Sequence, residues 1–189
     1  MIVYDCEIVG AVPGKGQERI DGVWYCDGWD DFQGMGISCI CAYDMQGQRS
    51  RVFLADNLQE FSRLISAGRM VAGFNNHKFD DQLIRAHGIK VGGSYDIATE
   101  VKAASGNPNW RGLSLDALAR ANGICGKSGS GADAPILWQR GKIGAVIDYC
   151  LQDVNVTVNI IRKIMTAGCL VDPRDGRVVK MRSPMGVQS

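Results

Sequence analysis

Met1-Ile-Val-Tyr-Asp5-Cys-Glu7-Ile-Val9 opens the chain, and the way this stretch is read decides the fold. Successive side chains of an extended strand point to opposite faces. Ile2, Tyr4, Cys6 and Ile8 therefore line one face, and Val3 and Val9 line the other. Both faces are apolar, as in a strand covered on each side. Asp5 and Glu7 break the pattern. They share a face, so their carboxyls emerge ~7 Å apart. Burying two carboxylates in an apolar strand is costly without compensation, and no basic residue lies close by in the sequence to supply it. A divalent cation would offset them, although an isolated Asp-x-Glu is more often a solvated strand end.

Outward from this strand, residues 10–34 are rich in Gly and Asp, carry Trp24, Tyr25 and Trp29, and read as an excursion with room for a short hairpin. Residues 36–43 and 51–55 read as strands joined by a turn at Asp44-Met-Gln-Gly47. Asn57 is the predicted cap of a helix reaching about residue 67, with Leu58, Phe61, Leu64 and Ile65 on one stripe and Gly68 as its stop. Residues 70–74 form another short strand. Further helices are predicted over 79–87, from Ser114 to Gly123, and over 143–167. The last has Ile147, Leu151, Val154, Val158, Ile161 and Met165 spaced for one buried face and is closed by Gly168. Residues 126–131 read as a glycine-rich flexible loop. Residues 171–189 form a tail that pairs as a short hairpin or is partly disordered, after a domain over 1–170.

With 189 residues, 46% of them hydrophobic and 22% charged, the chain is expected to be one globular domain. Its 21 basic and 20 acidic residues create no global field that would drive it onto nucleic acid or an anionic membrane, so any polyanion must be held locally. Seven cysteines include no CxxC pair, and the two histidines complete no zinc spacing. Buried, reduced thiols are expected. The start has no basic n-region, and no run of ~18 apolar residues is long enough to span a bilayer. A standalone protein of the reducing cytoplasm, with no membrane partner, follows as an expectation.

Two further acidic elements stand out. In Gly73-Phe-Asn-Asn-His-Lys-Phe79-Asp80-Asp81 a strand gives way to a helix, where carboxylates favour the helix dipole. Phe79 would anchor the neighbouring Asp80, Asn75 or Asn76 is available to bond backbone or substrate, and His77 either approaches substrate or is a surface residue. In Tyr149-Cys-Leu-Gln-Asp153 the i and i+4 side chains share one helix side. Taken singly, capping and a solvated helix face explain both.

Taken together and in this order, Asp-x-Glu, Asn-x(2 or 3)-Phe-Asp and Tyr-x3-Asp resemble the DEDD exonucleases, ribonuclease H-like enzymes that trim nucleic acid from 3' ends. The tyrosine form is indicated, because the histidine form would place His where Asp148 stands. Gly112-Leu-Ser-Leu-Asp-Ala-Leu-Ala119, the glycine loop with Lys127, and Tyr149 to Val154 look like the exonucleases related to family-B DNA polymerases. Residues 10–34 depart from that pattern, being longer than a minimal first hairpin.

The resemblance implies an α/β fold with a mixed sheet of about five strands and helices on both faces. It also implies a 3'-5' exonuclease releasing nucleoside 5'-monophosphates from single-stranded or frayed DNA or RNA. Asp5, Glu7, Asp80 and Asp153 would hold two Mg2+ or Mn2+ ions, hard cations that suit oxygen ligands. Tyr149 would orient the attacking water, since an ordinary phenol, with a pKa of about 10, keeps its proton at neutral pH. Asn75, Asn76, His77, Phe79 and Lys127 are candidate substrate contacts. A non-catalytic nucleic-acid-binding module and a ribonuclease H-like endonuclease are the competing classes. A nucleotide triphosphatase is rejected: Gly126-Lys127-Ser128 ends like a P-loop, but the first glycine would fall at Ala121, and a helix precedes it. Trp24, Trp29, Trp110 and Trp138 are candidates to stack terminal bases, with packing as the commoner fate.

Overall fold

In the computed structural model, which describes residues 1–14, 16, 18–66, 68–126 and 133–185, the opening stretch is strand β1 (Ile2–Ile8). There follow α1 (Phe32–Met35), β2 (Ile37–Asp44), β3 (Arg49–Phe53), α2 (Leu58–Ser66), β4 (Val71–Gly73) and α3 (Asp80–Ala86). The second half contains β5 (Ser94–Asp96), α4 (Ile97–Ser105), α5 (Leu115–Ala121), α6 (Ala134–Gln139), α7 (Ile143–Ala167), β6 (Cys169–Val171) and β7 (Val178–Lys180). The central sheet has five strands in the order β3-β2-β1-β4-β5. β2 runs antiparallel to β1 and β3, whereas β1, β4 and β5 are parallel. The architecture is α/β and the arrangement ribonuclease H-like.

β1 lies in the middle of this sheet, which is why it is apolar on both faces. Ile2, Tyr4, Phe53 and Val71 pack against Phe61 and Ile65 of α2 and Leu83 and Ile84 of α3. Val3, Cys39, Cys41 and Ala72 pack beneath α4, α5 and α7. The buried face of α7 is rotated from the predicted stripe. Val146, Cys150, Val154, Ile161 and Ile164 are buried, while Ile147 and Leu151 are half-buried and Met165 is 47% exposed. The cause is packing on two sides, against the sheet and against α5 and β6. α7 ends at Gly168, whose φ of 68° lies in the left-handed region open to glycine.

Asn57 does not cap α2: its Oδ1 accepts from the Leu54 amide at 2.6 Å, folding the side chain back onto β3. Residues 10–34 form no antiparallel hairpin among their described residues. Ala11 and Tyr25 make an isolated parallel bridge, and α1 follows, capped by Asp31 through the Gly34 amide at 2.9 Å. After α7 the chain turns back as the antiparallel pair β6–β7, and Leu170, Val179 and Met181 join the buried cluster beneath α7. Arg174 secures this hairpin, bonding the buried Asp172 at 2.6 Å and the Asn107 carbonyl at 2.8 Å. Cys125 is exposed and Cys169 partly so, which corrects the expectation that every thiol is buried. Among the described residues, no helix is long and apolar enough to cross a membrane.

Candidate active site

Asp5 and Glu7 leave β1 on the side covered by α7. Their carboxylate oxygens and the Cys150 Sγ lie within 4.8 Å of one another. Glu7 is buried, and the register of β1 shifts immediately after it, where the strand leaves its regular pairing with β2. α7 passes over the same place and presents Tyr149 and Asp153, one turn apart.

The third element arrives by a different route. β4 ends at Gly73, where a Cβ would come within 2.9 Å of the Asn76 side chain, so the glycine lets the loop fold tightly back. Asn75 has a left-handed φ of 63°. The Asn75 and His77 amides donate to the two Asp96 carboxylate oxygens at 3.0 and 3.1 Å. Asp96 also caps α4 through the Ala98 amide at 2.9 Å. One buried carboxylate thus fixes the loop that leads into α3. Sequence reading missed Asp96, although an Asp directly before an apolar run is a helix-start signal.

At the start of α3 two adjacent aspartates diverge. Asp80 turns toward β1 and accepts from the Cys6 amide at 2.9 Å. Burial pushes its carboxyl up to about 7, against the pull of the Cys6 amide toward the ionised form. Asp81 turns into the core, where it accepts from the Tyr4 hydroxyl and from Asn76 Nδ2, the latter at 3.2 Å. Burial and the neighbouring anionic groups raise the Tyr4 phenol well above its ordinary range.

Asp5, Glu7, Asp80, Tyr149 and Asp153 line one cavity of ≈ 370 Å³, together with Trp29, Phe74, Asn75 and Phe79. Trp29 is 68% exposed and meets Phe79 edge-on, 6.2 Å between ring centroids. The excursion that carries it is pinned by Gln139 of α6, which donates to the Val9 and Trp24 carbonyls at 2.7 and 2.9 Å and accepts from the Trp24 amide. A second cavity, of ≈ 310 Å³, shares Asp5, Phe74, Asn75 and Asp153 and has Trp110 on its far side. Lys102 lies over that indole, 3.5 Å from the ring centroid.

The candidate contacts separate accordingly. Phe79 and Asn75 line the cavity. Asn76 is a correction: it is sealed in the core, donating to Ser94 Oγ at 2.6 Å as well as to Asp81, and serves the fold. The His77 ring faces the Ser94 carbonyl at 3.2 Å and is not among the residues lining either cavity. Lys127 lies outside the described residues. Trp24 has its backbone tied to Gln139, and Trp138 packs against the buried cluster.

Asp5 and Glu7 lie close enough together, with Cys150 Sγ beside them, to share one ion, and oxygen donors of this kind are what hard divalent cations take. Four carboxyl groups from β1, α3 and α7 border a single cavity, with a phenol beside them and no imidazole among the lining residues. No protein-family model matches the chain, nor does any curated protein sequence.

Proposed function

We propose that the chain is a metal-dependent 3'-5' exonuclease that hydrolyses phosphodiester bonds at single-stranded or frayed ends and releases nucleoside 5'-monophosphates. The observation that carries this reading is the meeting of Asp5, Glu7, Asp80 and Asp153 with Tyr149 around one cavity at the end of the central strand. The four carboxylates would hold Mg2+ or Mn2+. Such ions, when bound, lower the pKa of an attacking water and neutralise the leaving oxygen. Asp80 must give up its proton to serve as a ligand, and the Cys6 amide favours that ionised form.

Tyr149, on α7 one turn from Asp153, orients the water through its hydroxyl. Phe79 and Trp29 offer apolar faces to the terminal base, a contact indifferent to base identity because every base has a π-face. Lys102 and Trp110, across the second cavity, suit the phosphates and bases of the strand leading to the site. The seven free cysteines suit a reducing cytoplasm.

The test is incubation of end-labelled linear and circular single strands, as matched DNA and RNA, with Mg2+ or Mn2+. Stepwise shortening of linear strands alone is the expected result. Cutting of circles would instead identify an endonuclease, and binding without cleavage would identify a non-catalytic module. Either outcome overturns the proposal.

A further inference from the structure

Cys39 and Cys41 lie two residues apart on β2 and so point to the same face of the sheet. In the register with β1 they stand opposite Glu7 and Asp5. Cys150 reaches down to them from α7. All three residues are 0% exposed, and their Sγ atoms lie within 4.8 Å of one another. A single buried cysteine packs as a small hydrophobe and calls for no further explanation. Three sulfurs from two separate elements, converging on one point beside the acidic site, are a preformed donor set.

We propose that Cys39, Cys41 and Cys150 form a three-thiolate site for a soft, thiophilic metal ion of the Cu(I) class. The donors select the ion. They are all sulfur, and soft thiolates favour Cu(I) and zinc over magnesium or manganese. Structural zinc takes four ligands. Here, among the described residues, no fourth His, Cys, Asp or Glu donor lies within 4.8 Å of all three sulfurs; Asp5 Oδ2 is near Cys150 but outside the trio. Three-coordinate Cu(I) has no such requirement. Binding exchanges thiol protons for the ion, with no change in the oxidation state of sulfur or metal.

Cys150 belongs to both groups. Its Sγ lies 3.4 Å from the Asp5 carbonyl oxygen and 3.7 Å from Asp5 Oδ2. An ion held by the three sulfurs would tether α7 to β2 one residue from Tyr149. The site stands independently of the nuclease proposal, because it is defined by sulfur positions alone.

The experiment uses the full chain, reduced and kept free of oxygen. Cu(I) is the probe, titrated against a chromophoric Cu(I) chelator. Because the sulfurs are buried, a parallel sample is refolded from denaturant with Cu(I) present. The expected result is one tightly held ion per chain, with an ultraviolet thiolate-to-copper band. Removing one sulfur, in Cys39→Val, Cys41→Val or Cys150→Ala, is expected to weaken binding by at least ~100-fold. Cys26→Ala and Cys125→Ala are expected to leave it unchanged.

Circular dichroism of each variant checks that the fold survives. Valine at 39 and 41 keeps an apolar side chain of slightly larger volume and suits a strand. Failure of the wild-type chain to retain Cu(I) by either route overturns the proposal. So does equal binding in the variant lacking all three thiols, or a Cys150 disulfide in the isolated protein, seen by mass spectrometry as the loss of two hydrogens.

Discussion

β1 sends its side chains into two very different environments. Below the sheet, Tyr4 meets Phe61 with 5.3 Å between ring centroids, Phe61 meets Phe53 at the same distance, and Asp81 closes the cluster by accepting from the Tyr4 hydroxyl. Above it, Asp5 and Glu7 face Tyr149 and Asp153 across a solvent-accessible cavity. The residues alternate, so the even positions of β1 pack against α2 and α3, while the odd face buries Val3 in the core beneath α7 and, further along, carries Asp5 and Glu7 to the cavity. Asp80 and Asp81 repeat the division at the start of α3. Adjacent in sequence, they are separated by the helix turn, one to the cavity and one to the core. Stability and activity should therefore respond separately to changes at the aromatic cluster and at the cavity carboxylates.

The sharpest way to break this separation is Asp5→Ala. It is expected to lower cleavage of a 3'-labelled strand by roughly 1,000-fold or more, about 4 kcal/mol of transition-state stabilisation. Its melting temperature should stay within a few degrees of wild type, and a collapse of the fold would unite the two faces. Phe61→Ala is the reciprocal change. Loss of a fully buried ring at the centre of the aromatic cluster is expected to cost about 3–5 kcal/mol in denaturant unfolding. Activity per folded molecule should change little.

The pair at the start of α3 sharpens the comparison through pH. The Asp80 carboxyl has a folded pKa of about 7, above its unfolded value. Below the ordinary carboxylate range both states are protonated and the group has no effect. As pH rises from about 4 to 7, the unfolded state loses its proton first, so stability without added metal is expected to fall across that window. Asp80→Asn should flatten this part of a melting-temperature profile, and Mg2+ should counter the fall in wild type only. The smallest expected effect is at the mouth of the cavity. Trp29→Ala should raise KM for single strands about 10-fold, matching a stacking contact of ~1–3 kcal/mol, with kcat less affected and Trp29→Phe largely restoring KM.

Much of the fold was legible because its main elements carry long, regular patterns. β1 alternates over seven residues, and α7 runs for 25 residues to a glycine stop, with bounds matching the prediction. The missed elements are short. β5 has three residues, preceded by Gly92 and Gly93, and leads directly into α4, whose buried side chains Ile97, Ala98 and Val101 give a weak stripe. α1 is a single turn. Asp5, Glu7, Asp80, Tyr149 and Asp153 were singled out by the order of three motifs and the resemblance it carries, and they line one cavity. The burial of Asn76 was not legible, because it depends on Ser94, brought alongside by the pairing of β4 with β5, and on Asp81 turning into the core at the start of α3. The thiol group was hidden for the same reason: Cys-x-Cys on a strand shares a face, but only the path of α7 brings Cys150 to it.

The most direct test of the acidic site is Mn2+ binding, followed by electron paramagnetic resonance or calorimetry on the wild-type chain and on Asp5→Ala and Asp153→Ala at neutral pH. The expected result is two ions bound to the wild-type chain, with at least one lost in each variant while the fold is retained. Equal Mn2+ binding in all three proteins, or none in the wild type, would contradict the central claim that carboxylates from β1, α3 and α7 act as one metal-holding site.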